Sequence, residues 1–92
     1  MGKTKVVFKY VIPANDVATI RMPINSELLT VHAQRNDICL WALVDPDEQR
    51  TEDVTFRIAG TGHILANGKF FYIGTVFFAE AQLVFHVFEA KK

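Results

Sequence analysis

Apolar side chains fall on alternate positions along most of this chain, and nowhere do they recur at the i, i+3, i+4, i+7 spacing of an amphipathic helix. Phe8, Tyr10 and Ile12 share one parity against Lys5, Val7, Lys9 and Val11, which predicts a first strand near a sheet edge, closed by Pro13 and Asn15-Asp16. Ala18, Ile20 and Met22 then alternate with Thr19 and Arg21 until Pro23 and Asn25-Ser26, a second strand expected to pair with the first. Leu29, Val31 and Ala33 oppose Thr30, His32 and Gln34, and the polar Arg35-Asn36-Asp37 turns the chain into a fourth run, Ile38 to Val44. That run is apolar on both parities, so it is expected at the centre of a sheet, or against another subunit.

Asp45 to Asp53 is the longest polar stretch and reads as a solvated connection. The last two-fifths of the chain hold three strongly apolar runs, Val54 to Ala59, Phe70 to Phe78 and Leu83 to Glu89. Gly60-Thr61-Gly62-His63 forms a turn after the first of these, and a short run Ile64-Leu65-Ala66 leads to Asn67-Gly68, a strong hairpin-turn dipeptide. In the long run Phe71, Ile73 and Phe77 are expected on one face and Phe70, Tyr72, Val76 and Phe78 on the other, with Gly74 allowing a bulge or a close backbone approach. Leu83, Phe85 and Val87 oppose Val84, His86 and Phe88 in the last run. So many aromatics on two adjacent strands exceed the needs of one small core, which predicts a homo-oligomer joined through an aromatic-rich face.

Together these patterns predict an all-β fold, a small antiparallel β-sandwich or partly closed barrel of about seven strands. The 92 residues suit one domain, with residues 1–4 as a disordered tail. Ten basic against ten acidic residues give zero formal charge, a field too weak to favour nucleic acid or a membrane surface as partner. A single cysteine, Cys39, forms no intrachain disulfide, and no apolar segment approaches the roughly 20 residues that span a bilayer. Val6 stands where a myristoylation pattern needs Ser or Thr, and Lys9 interrupts the early apolar run, so a cytoplasmic location is expected.

Gly60, Thr61, Gly62 and His63 are candidates for an anion site, since two glycines let backbone amides converge beside a hydroxyl and an imidazole. The triphosphatase and dinucleotide loops need a helix after the strand and wider glycine spacing, and a turn shaped by glycine is the plainer reading. Trp41, Tyr72, Arg57 and Lys69 are the types that stack on and pair with a nucleotide-like ligand, against the alternative that Trp41 fills the core and Arg57 faces water. His32, His63 and His86 have no metal-ligand spacing, and Cys39 shares parity with Trp41 and Leu43 as a buried, inert thiol would. The acidic Asp45, Asp47, Glu48, Glu52 and Asp53 lack the ligand order of a calcium loop, and Ser26 has no local base. No catalytic residue, metal or cofactor is therefore assigned.

The segments Phe8 to Pro13, Trp41 to Pro46, Phe56 to His63, Tyr72 to Val76 and Val84 to Glu89 together resemble a family of short phage and prophage proteins of unknown function. The resemblance covers nearly the whole chain and implies a viral or mobile-element setting in the host cytoplasm; it supplies no site residues. The expected function is a non-enzymatic accessory protein that binds a partner or small ligand, in its sharpest form sequestering a nucleotide signal of host defence. A structural or assembly protein working through protein contacts is the alternative, and a small enzyme would need His63 or His86 beside a carboxylate in a cleft.

Overall fold

The computed structural model of the chain describes residues 4–65 and 67–91. Of the tail expected over residues 1–4 only Thr4 falls among them, and Ala66 of the short run also lies outside. The described residues form seven strands: β1 Val6–Ile12, β2 Val17–Pro23, β3 Glu27–Gln34, β4 Asp37–Val44, β5 Thr51–Gly60, β6 Lys69–Phe78 and β7 Leu83–Lys91. Every pairing between them is antiparallel, in a three-stranded sheet ordered β1-β4-β3 and a four-stranded sheet ordered β2-β5-β7-β6. This is a sandwich, and the sheets do not close into a barrel.

The core draws on every strand: Ile12, Ala18 and Met22, Val31, Ile38 and Leu40, Phe56 and Ile58, Val76, and Val87 pack between the sheets. Cα extents of 46 × 30 × 17 Å leave room for two layers, spaced about 10 Å apart as sheets are. Each sheet therefore turns its other face to solvent. No helix among the described residues is long and apolar enough to cross a membrane.

Alternation located the strands, and several of its finer expectations are corrected. β2 pairs with β5 in the opposite sheet instead of with β1, because Ala18, Ile20 and Met22 oppose Phe56, Val54 and Glu52 in register. Thr51, Glu52 and Asp53 belong to β5, so the polar connection is shorter than the run of charged residues suggested. Asn67-Gly68 does not close a hairpin, since β5 and β6 lie on either side of β7, both antiparallel to it and so parallel to each other, and their connection is a crossover.

Two bulges reset the parity. Between Leu28 and Thr30 the register of β3 shifts, so Leu28 faces Ala42 on the core side and Leu29 is left 42% exposed. Between Tyr72 and Gly74 the register of β6 shifts likewise, as Gly74 allowed. Beyond that bulge Gly74, Val76 and Phe78 face the core while Thr75 and Phe77 join Tyr72 and Phe70 on the solvent side, which replaces the expected division of faces. The core side of Gly74 lies against β3, where an added Cβ would stand 2.8 Å from Val31 Cγ2. Gly74→Ala is expected to lower unfolding free energy by about 1–3 kcal/mol in chemical denaturation, with part of the loss recovered on adding Val31→Ala.

Candidate functional site on the outer face of the four-stranded sheet

The solvent-facing positions of β5, β7 and β6 stand side by side in rows set by register. Arg57, Phe88 and Tyr72 form one row, Thr55, Ala90 and Phe70 the row on one side, and Ala59, His86 and Thr75 the row on the other. An antiparallel sheet with one wet face ordinarily alternates apolar-in with polar-out. Here four aromatic rings, Phe70, Tyr72, Phe77 and Phe88, share the wet face. Phe88 meets Phe70 at 6.3 Å and Tyr72 at 5.7 Å between centroids, both edge to face, while Tyr72 stays 61% exposed.

Arg57 lies on this aromatic surface with its guanidinium carbon 5.7 Å from the centre of the Phe70 ring. Its Nε is buried and has no hydrogen-bond acceptor among the described residues. A cation packed against a ring in this way is favoured by the ring's negative face, and a guanidinium carries further N–H donors besides the buried Nε.

Beside it runs a chain of four polar side chains. Tyr72 Oη lies 2.5 Å from Thr75 Oγ1, Thr75 Oγ1 lies 3.0 Å from His86 Nδ1, and His86 Nε2 lies 2.8 Å from Thr61 Oγ1. A neutral imidazole donates from one nitrogen and accepts at the other, so the chain has a direction. With the proton on Nε2, Thr61 accepts from His86, Thr75 donates to Nδ1, and Tyr72 donates to Thr75; Thr61 then has its own hydroxyl proton to offer outward. With the proton on Nδ1 both bonds to the ring reverse, so Thr75 accepts from His86 and Thr61 donates to Nε2, while the Tyr72–Thr75 bond is free to run either way. Thr61 thus has a hydroxyl proton to offer outward in one tautomer and commits it to His86 in the other.

The structure gathers some of the expected site residues and scatters others. Arg57, Tyr72 and Thr61 come together on this face. Trp41 sits on the outer side of β4 in the other sheet, edge-on to His32 at 6.3 Å. Lys69 starts β6 on the parity opposite to Tyr72. In the glycine turn the His63 amide donates to the Gly60 carbonyl at 3.0 Å, which removes one donor from the expected anion nest. The His63 ring covers Gly60, where an added Cβ would be 2.9 Å from Nδ1, and Gly60 pairs with Phe85 on the core parity; His63 is therefore turned away from the Arg57 face. Gly62 takes φ +85°, the left-handed value that favours glycine there.

His32 and His86 lie on opposite outer faces, and no group of three or more His, Cys, Asp or Glu side chains among the described residues is placed to hold a metal. Cys39 is buried. Several of the acidic residues serve turns and pairs: Asp45 Oδ1 accepts from the Asp47 amide at 3.0 Å, Glu48 holds Arg50, Glu52 accepts from the Asn25 amide, and Asp53 pairs with Arg21 at 3.3 Å. Ser26 donates to the Pro23 carbonyl at 2.6 Å. A cleft of about 550 Å³ opens where Glu52, Thr55, Glu89 and Lys91 meet Ser26 and Leu28; its Glu89 is already paired with Lys91 at 3.5 Å.

A family profile described as a domain of unknown function, DUF7352, matches residues 3–92. The chain belongs to that family. No curated protein and no solved structure matches it. The family membership covers the whole sandwich, so both sheets of this DUF7352 domain fall within one unit.

Phe70, Phe88 and Thr75 were not among the expected site residues, and His86 entered only as an alternative catalytic base. The signal for them lay in Gly74: moving the parity of β6 by one at that glycine aligns Tyr72, Thr75 and Phe77 on one face, opposite His86 and Phe88. Both ring nitrogens of His86 are met by threonine hydroxyls. Thr75→Val is expected to hold His86 in the Nε2–H tautomer, because a proton on Nδ1 would then face a methyl group, and Thr61→Val in the Nδ1–H tautomer. Ring ¹⁵N shifts distinguish the two, and each variant should cost about 0.5–1.5 kcal/mol in stability.

Proposed function

We propose that this DUF7352 chain is a non-enzymatic binding module that takes a planar, negatively charged small molecule of the nucleotide class on the outer face of its four-stranded sheet. The observation that carries the reading is Arg57, a cation laid against Phe70, in register with Phe88, and with a buried Nε that has no acceptor among the described residues. A phosphate supplies the acceptor that this guanidinium lacks, and a base supplies the flat surface that Tyr72 and Phe88 can stack against. The chain from Tyr72 to Thr61 then offers a donor and an acceptor to the polar edge of the same ligand.

The resemblance to short phage and prophage proteins supports the setting: an accessory protein in the host cytoplasm that withholds a nucleotide signal of host defence. A second reading, an assembly protein acting through protein contacts, draws on Phe77, 62% exposed on the same face.

Titration calorimetry against nucleoside monophosphates and cyclic di- and trinucleotides separates the two. Saturable binding is expected for one of these, falling at least about tenfold in Arg57→Ala and in Tyr72→Ala, since a charge-assisted hydrogen bond contributes about 1.5–3 kcal/mol. His63→Ala should bind as wild type. No saturable binding across the panel moves the function to protein contacts.

A further inference from the structure

The sandwich has four edge strands, and three of them are protected. β3 and β6 lie alongside each other across the seam, where Gly74 meets Val31. β2 carries the exposed Arg21 and ends in Pro23, both of which discourage a further strand from pairing there. β1 is different. Its seven residues pair with β4 on one side only, yet Val7, Phe8 and Val11 are exposed by 53%, 42% and 49%.

The sequence of that strand is a chemical palindrome about Lys9. Val6 and Ile12 are both β-branched, Val7 and Val11 are identical, and Phe8 and Tyr10 are both aromatic. We infer that β1 pairs antiparallel with β1 of a second copy across a twofold axis at Lys9, joining two three-stranded sheets into one of six. In that register Val7 faces Val11 of the second copy on the outer surface. Phe8 faces Tyr10 of the second copy on the core side, and Val6 faces Ile12 of the second copy. Exposed apolar and aromatic side chains thus meet their like, the pairs that stabilise antiparallel strands, and a twofold interface of this kind uses the same patch on both copies.

Lys9 is the one position that meets an equal charge, and an edge lysine ordinarily guards against such pairing. Here its ammonium is drawn off. Lys9 Nζ donates to Gln34 Oε1 at 3.0 Å, reaching back across its own sheet to β3 and away from the edge. Zero formal net charge adds no long-range repulsion between copies. A homo-oligomer is thereby assigned to the β1 edge, and the aromatic face of β6 and β7 stays open.

Sedimentation velocity over about 1–200 µM reads the association directly. A dimer is expected, with Val11→Lys weakening it at least about tenfold and the double variant Val7→Glu/Val11→Lys, which sets opposite charges across the register, restoring it. Cysteine trapping checks the register independently, because the native Cys39 is buried. Lys9→Cys should cross-link to itself under mild oxidation, whereas Val7→Cys should cross-link to Val11→Cys in a mixture and not to itself. A monomer throughout the concentration range, or a dimer that Val11→Lys leaves unchanged, overturns the assignment.

Discussion

One close approach governs this molecule: the backbone of β6 lies so near β3 that only a glycine fits at position 74, with Val31 filling the space a Cβ would need. The bulge beside that glycine turns β6 over by one residue. Without it, Val76 and Phe78 would face water and Thr75 and Phe77 would enter the core, since a shift of one position exchanges the faces of a strand. The same local irregularity therefore seals the seam between the sheets and builds the Arg57 face.

That face joins two kinds of surface that seldom share a sheet. On one side a guanidinium packs against the Phe70 ring; on the other, four side chains are linked by hydrogen bonds whose sense at His86 is set by the position of one imidazole proton. The first is fixed and the second is reversible. A ligand laid across both would meet a constant charge and an adjustable polar edge.

Much of the fold was legible because period-two alternation is strong in β1, β2 and β5, where no bulge interrupts it. Ile38 to Val44, apolar on both parities, did mark a central strand: β4 lies between β1 and β3, with Cys39 buried even on the outer parity. Sheet membership was not legible, because the residues that send β2 to β5 are ordinary apolar ones and pairing of distant strands leaves no local mark. The site was half legible. Arg57, Thr61 and Tyr72 could be named by type, but bringing them together with His86 and Phe88 requires the β5-β7-β6 order, and the glycine turn drew notice to His63, which points elsewhere.

The β5-β7-β6 order also has a bearing on the sequence of events in folding. β6 has no hydrogen-bonding neighbour other than β7, and β7 is the last of the seven strands along the chain. The three-stranded sheet is complete once Val44 is available, and β2 can join β5 soon after, but an elongating chain must carry β6 unpaired until its final strand arrives. Non-local pairing of this kind is slow and leaves strand edges exposed in the meantime. Until then the core-side Val76 and Phe78 of β6 would stay uncovered on a chain leaving the ribosome, and the shortness of the β6–β7 turn, Ala79 to Gln82, limits that interval.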